Sequence, residues 1–334
     1  MMPRSVLKTL PLSLAKIIFG AVLALVIGEG VVRLTAASGD NYIIEMWRYG
    51  TQLKRPTASL LPGHEHIPGR AADLQKVHVR INAMGLRGPE IDPSVLARNA
   101  VVVLLGDSVT FGWGVAEDQT LSAQLAARLG PDVTVLNAGI GNMNLEQLAA
   151  HWDNLSQTLR PDLLVLLPTI RAAEPYQREH VSWLVRHSEL AAVASVFVRQ
   201  LTSGATGRED LVAAYRRHWS EGGGAISAGL DDLARHQQAE GYPILVAMVP
   251  ETHDFVHYPF GFVTELMRKA AADRHWRFLD LFAEFQGEKA ERFWVAPQDV
   301  HPNGEAFAKM AVPLAAAIKD ELGHRAALPA SPRF

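Results

Sequence analysis

Val101-Val102-Val103-Leu104-Leu105-Gly106-Asp107-Ser108-Val109-Thr110-Phe111-Gly112 decides how the rest of this 334-residue chain is read. Five apolar, mostly β-branched residues in unbroken succession describe a strand buried on both faces, the signature of a parallel sheet. The run stops at a Gly-Asp-Ser turn that a helix soon follows. Ligands of open α/β sheets bind beyond the carboxyl ends of the strands, so Ser108 stands where a reacting group would be placed. All three residue types also favour ordinary turns, and the tripeptide alone leaves both readings open.

The far end of the chain supplies the partners such a serine needs. Serine attack requires a base to take its proton, and the base requires a carboxylate to fix its tautomer. Asp299-Val300-His301-Pro302-Asn303, ahead of an amphipathic stretch from about Gly304 to Leu322, offers both from one segment. On these residues the chain resembles the GDSL, or SGNH, family of serine hydrolases. Gly106-Asp107-Ser108 and Asp299-x-His301-Pro302-Asn303 agree with the family's motifs in type, order and separation. The resemblance implies Ser108 as nucleophile, His301 as general base and Asp299 as its carboxylate partner, with no cofactor and no metal. The family often has Asp three residues before the His, where Gln298 stands here, so the role falls to Asp299.

Two further family blocks donate hydrogen bonds to the oxyanion. Asn137-Ala138-Gly139-Ile140-Gly141-Asn142-Met143-Asn144 follows an apolar strand from Val133 to Leu136. The resemblance assigns an oxyanion N–H to Gly141 or Asn142, beside that of Ser108, with the Asn142 side chain as a further donor. The third block usually ends in Asn-Asp, but the segment from Pro161 to Arg171 contains no Asn. Arg171 is left as either an oxyanion donor or an anchor for an anionic substrate. One such donor is worth about 10²–10³ in turnover. Its loss keeps a second reading open, an inactive relative serving as a binding or assembly subunit of an envelope complex.

Hydrophobic residues make up 48% of the chain and cysteine is absent. A sizeable core is therefore available, while disulfides, thiol nucleophiles and thiolate metal sites are excluded. A net charge of −3 gives no electrostatic footprint for nucleic acid. Residues 1–36 differ from the rest. Arg4 and Lys8 precede a mostly apolar run from Leu10 to Gly28, interrupted by Lys16 and followed by Glu29 and Arg33. About twenty such residues span a bilayer core of about 30 Å, and Lys16 can snorkel to the headgroups. The expectation is a single signal-anchor helix in the cytoplasmic membrane, with the catalytic domain periplasmic. A signal peptide cleaved near Ala36-Ala37 is the alternative.

Residues 37–99 read as a connection, with a short helix near 42–49, an edge strand at Val77–Asn82 and a turn at Ala83–Gly88. Segments like Ile81-Asn82-x-x-Gly85-Leu86-Arg87-Gly88 precede the Gly-Asp-Ser block in many extracytoplasmic family members. From 100 to 323, strands near 100–105, 133–137, 163–167, 244–249 and 277–280 alternate with helices near 119–129, 144–159, 209–218, 225–240, 260–274 and 304–322. That alternation predicts a three-layer α/β/α sandwich around a mainly parallel sheet, for which the resemblance implies the SGNH-hydrolase, flavodoxin-like form, and a flexible tail is expected at 324–334. Gly222-Gly223-Gly224 reads as a hinge between helices. On the loop after the fourth strand, His253, Asp254 and His257 are expected to shape the substrate. A metal there would need three or four convergent ligands, and only local spacing is visible. Trp113 either stacks on a sugar ring or closes the loop over the core. The resemblance implies an ester substrate, with acylated, especially O-acetylated, carbohydrate as one common class.

Overall fold

The computed structural model describes residues 12–176, 182–202 and 211–326. Two helices, α1 (Leu12–Ala36) and α2 (Tyr42–Arg48), lead into a π-helical turn over Tyr49–Leu53. Two antiparallel hairpins follow, β1 (Lys54–Pro56) with β2 (His64–His66) and β3 (Ala71–Leu74) with β4 (Val77–Arg80). After α3 (Pro93–Arg98) come β5 (Ala100–Gly106), α4 (Ser108–Phe111), α5 (Leu121–Leu129), β6 (Val133–Gly139), α6 (Leu145–Ser156) and β7 (Leu163–Leu167). Helices α7 (Trp183–His187), α8 (Glu189–Thr202), α9 (Leu211–Glu221) and α10 (Gly223–Glu240) precede β8 (Ile244–Met248). The chain ends with α11 (Gly261–Ala272), β9 (Arg277–Asp280), the hairpin of β10 (Trp294–Ala296) and β11 (Asp299–Pro302), and α12 (Gly304–Ala326).

These elements form two compact units, one drawn from Met1–Trp47 and His180–Thr206, the other from Arg48–Glu179 and Gly207–Phe334. In the first unit, α1 is long and apolar enough to cross a membrane over Leu14–Ala36, and its most apolar eighteen residues have a mean hydropathy of 2.2 with none of them buried. A signal sequence near an N-terminus has the same character.

The second unit is built on a five-stranded parallel sheet of order β6-β5-β7-β8-β9. Its strands occupy the five segments expected from the apolar runs. Successive residues alternate faces, as a pleat requires. Val103, Leu105, Leu164 and Val246 pack with α6, α9, α10 and α11, while Val102, Leu104, Val165 and Leu245 pack with α5 and α12. The three-layer α/β/α arrangement follows from this double burial. The chain leaves β5 for β6 on one side and returns to β7 on the other, so the crevice beyond β5 is the switch point where such sheets bind ligands.

Some elements differ from expectation. Strand β4 pairs with β3 in its own hairpin rather than edging the main sheet. Helices α7 and α8 lie between the third strand and the helix expected near 209–218, in a stretch for which no element was expected. Gly222 caps α10, and Gly223 and Gly224 lie inside its first turn. The C-terminal helix runs on to Ala326, and the rest of the expected tail, residues 327–334, lies outside the described residues.

The Asn82 to Gly88 segment has a definite job. Asn82 Oδ1 accepts from the Met84 and Leu86 N–H groups at 3.0 Å each, which fixes the turn. Arg87 N–H then bonds the Asn137 carbonyl on the sheet's edge strand at 3.1 Å. Its buried guanidinium donates to the carbonyls of Phe111 (2.7 Å), Gly112 and Val115 (2.6 Å), stapling the end of α4.

Candidate active site

Ser108 opens α4, directly off the carboxyl end of β5. Asp107 caps the helix: Oδ1 accepts from the Val109 N–H at 2.9 Å, and Oδ2 accepts from the Thr169 hydroxyl at 2.6 Å. Glycine is obligatory at the ends of β5 and of its neighbour β6. A Cβ at Gly106 would stand 2.9 Å from the Leu167 carbonyl, and one at Gly139 would collide with the backbone of Phe111. The sharp turn needs that clearance to lay α4 across the strand ends.

Asp299 and His301 are two apart on β11, and such residues share one face of a strand. His301 Nδ1 lies 2.6 Å from Asp299 Oδ1, and Nε2 lies 2.9 Å from Ser108 Oγ. A carboxylate only accepts, so the Nδ1 proton points at Asp299 and the Nε2 lone pair is left for the serine O–H. Asp299 is buried. Its Oδ1 also accepts from the His301 N–H at 3.2 Å, and its Oδ2 accepts from Gln75 Nε2 at 2.6 Å and Trp113 Nε1 at 2.9 Å. Burial pushes this carboxyl's pKa up, but the hydrogen bonds from His301 and Gln75 outweigh it and hold the pKa below the usual carboxylate range.

Gln75 was not legible as a site residue. It occupies the two-residue turn between β3 and β4, where Gln75 and Lys76 have φ of 47° and 67°. Two successive left-handed residues match a tight hairpin of right-handed twist, and the turn carries the Gln75 amide to Asp299. Gly114 makes room, because a side chain there would run into Gln75 and Val295. Trp113 is almost wholly buried and donates to Asp299, so it braces the carboxylate rather than presenting a stacking face.

The strand register brings the expected oxyanion blocks beside Ser108. Gly106 pairs with Gly139 on β6 and with Leu167 on β7, so Gly141 and Thr169, two residues further on, flank Ser108. A Cβ at Gly141 would be 3.5 Å from Ser108 Cβ. Among the described residues nothing accepts the Ser108 N–H. The Gly141 N–H, however, donates to Tyr49 Oη at 3.0 Å. Tyr49 in turn lies 2.8 Å from His66 Nε2, whose Nδ1 is 3.1 Å from the Gly85 carbonyl. The carbonyl fixes the proton on Nδ1, so Tyr49 donates to Nε2 and accepts from Gly141.

The Gly141 carbonyl is held as well, by Lys54 Nζ and His64 Nε2 at 3.1 Å each. Burial pushes the Lys54 ammonium down to about 7, and burial, then Lys54, push His64 down to about 3. A trans peptide points its N–H opposite to its C=O, so the Asn142 N–H faces away from this clamp. Among the described residues it has no acceptor. Asn142 is exposed and left-handed, with φ of 62°.

The Arg171 guanidinium meets Glu174 at 2.7 Å and is half exposed, while the Thr169 hydroxyl bonds Asp107 at the strand end. On the loop after β8, His253 bonds Glu251, and Asp254 Oδ1 accepts from the N–H groups of Val256 and His257. Thr252 ties the loop to the His301 segment by donating to the Val300 carbonyl and accepting from Trp294 Nε1 at 2.6 Å. No group of three or more potential metal ligands forms among the described residues.

No family model matches the chain, and no curated protein does. Solved structures similar to it include hydrolases of the GDSL and SGNH kind. A lipolytic G-D-S-L protein of Desulfitobacterium hafniense is 14% identical, with 65% of this chain and 99% of that one covered and a TM-score of 0.41. Est24, a carbohydrate acetylesterase of Sinorhizobium meliloti, is 12% identical over 66% and 99%, with a TM-score of 0.40. Esterase EstA of a Pseudoalteromonas species is 13% identical over 67% and 100%, with a TM-score of 0.43.

Proposed function

We propose that this protein is a membrane-tethered serine esterase of the GDSL/SGNH type. The observation that carries the reading is the continuous line from Ser108 Oγ through His301 to a buried, fully hydrogen-bonded Asp299. Ser108 Oγ attacks the ester carbonyl while its proton passes to His301 Nε2. The imidazolium then protonates the departing alcohol, leaving an acyl-serine. Water or an acceptor hydroxyl, deprotonated by the same nitrogen, releases the acyl group and restores Ser108. Asp299 holds the tautomer and stabilises the imidazolium throughout.

The carbonyl oxygen becomes an oxyanion in the first step. We assign its donors as the N–H groups of Ser108 and Asn142. Gly141, whose N–H is taken by Tyr49, contributes through the orientation of the following peptide. Lys54→Met removes one of the two donors that hold that peptide. It is expected to lower kcat about tenfold while leaving KM unchanged, since the interaction grows only as charge develops. An unchanged kcat would take the clamp out of the oxyanion account.

The substrate class we assign is an O-acyl, chiefly O-acetyl, ester on envelope or exported polysaccharide, the polymers that a tethered periplasmic domain meets. Acetate release from O-acetylated glycan by the full chain in detergent tests this. Serine-dependent release supports it, and cleavage of p-nitrophenyl acetate with no release from any glycan would leave the esterase and discard the substrate. The diversion of Gly141 N–H to Tyr49, together with the missing Asn, favours one other reading, an inactive binding subunit. A folded chain inert toward every ester would select it.

A further inference from the structure

The unit containing α1, α7 and α8 holds a feature that ester chemistry leaves unused. From Leu14 onward α1 turns apolar side chains outward, until Glu29 and Arg33 interrupt the run. A carboxylate on such a surface is costly unless its charge is met. Arg33 Nε donates to Glu29 Oε1 at 2.7 Å. The start of α8 closes on the same carboxylate: the Ser188 hydroxyl and the Leu190 N–H donate to Oε2 at 2.7 and 3.0 Å, and the Glu189 N–H donates to Oε1 at 3.1 Å. Gly28 permits the approach, since a Cβ there would lie 3.1 Å from Leu190 Cδ2. Helix α8 therefore begins at the level where the apolar run of α1 gives way to charge. For a crossing helix that level is the headgroup boundary.

From Glu189 to Val198, α8 is apolar. Among the residues from Glu189 to Val198, Ala194, Phe197 and Val198, spaced i, i+3 and i+4, are exposed, with Phe197 60% and Val198 56% accessible. Helix α7, held by Trp47 Nε1 donating to the Val185 carbonyl at 2.7 Å, exposes Trp183 (73%) and Leu184 (59%). Apolar side chains of this size, continuous with a lipid-facing helix and headed by a tryptophan, have the make-up of an element lying in a membrane interface.

We propose that α7 and α8 lie in the bilayer interface beside α1, with Trp183, Leu184, Phe197 and Val198 inserted among the acyl chains. The chain then grips the membrane at two elements instead of hanging from a single tether. The proposal rests on the reading of α1 as a membrane-crossing helix.

The absence of cysteine allows a direct test. Single-cysteine variants Leu25→Cys in α1, Phe197→Cys and Val198→Cys in α8, and Leu60→Cys, an exposed position of the other unit, each carry one nitroxide. The full chain is reconstituted in phosphatidylcholine–phosphatidylglycerol vesicles, and collision with dissolved oxygen is compared with collision with a water-soluble nickel chelate. The labels at 25, 197 and 198 are expected to meet oxygen readily and nickel about tenfold less often than the label at 60. Labels at 197 and 198 as open to nickel as that at 60, with 25 protected, overturn the interfacial element and leave α1 crossing. Nickel access at 25 as well overturns the crossing itself. Shielding of 197 and 198 from both reagents means that protein covers the face, which also overturns the proposal.

Discussion

Ser108→Ala is expected to abolish ester hydrolysis, with kcat falling about 10⁶-fold, or about 8 kcal/mol of transition-state stabilisation. The effect is this large because the residues act as a unit: without Oγ, His301 has no proton to take and Asp299 no imidazolium to stabilise. The fold should be untouched. The features that shape the turn are the Gly106 clearance, the Asp107 cap and its bond to Thr169, and none involves the serine hydroxyl. Kinetics on p-nitrophenyl acetate beside a thermal melt check both halves. A variant with an unchanged melt and wild-type turnover would move the nucleophile elsewhere.

Asp299→Asn should cost about 10⁴ in kcat, the scale seen when a triad carboxylate becomes an amide. The surroundings of Asp299 dictate why. Its Oδ2 accepts from Gln75 and Trp113, so the amide oxygen must turn that way. The NH₂ group then faces His301 Nδ1, which can satisfy it only by giving up its proton. That proton moves to Nε2, and the nitrogen facing Ser108 can no longer act as a base. Stability adds a second readout. Because the folded-state pKa of Asp299 is depressed, its contribution is present above the ordinary carboxylate pKa and is lost as pH falls through the folded value. The gap in melting temperature between wild type and variant should narrow in acid. Near-wild-type turnover would assign the carboxylate role to another residue.

The centre of the sheet was legible because β5, β7 and β8 are continuous apolar runs between turn residues, and double burial leaves no other way to satisfy such runs. Ser108, Asp299 and His301 were legible because each sits in a short local motif. What surrounds them was not, for a physical reason: the supporting groups come from hairpins distant in sequence and take their meaning from where a turn happens to point. Gln75 lies 224 residues from Asp299, in a segment that reads as a connection. Tyr49, Lys54, His64 and His66 reach the Gly141 peptide from the same region, and no spacing rule links them to it. Arg171 stood out by its charge, whereas strand register puts Thr169 at the serine's level. The stretch Ile81 to Gly88 was visible as a motif, but its work became clear only once Arg87 was seen gripping the carbonyls after α4.

The central claim, that Ser108 is the nucleophile of an acyl-enzyme, is tested most directly by treating the full-length chain with a fluorophosphonate and locating the adduct by peptide mass spectrometry. Modification of the Ser108 peptide alone, absent in Ser108→Ala and greatly slowed in His301→Ala, is the predicted result. A folded wild-type chain that takes no label, or takes it equally with and without His301, would contradict the account.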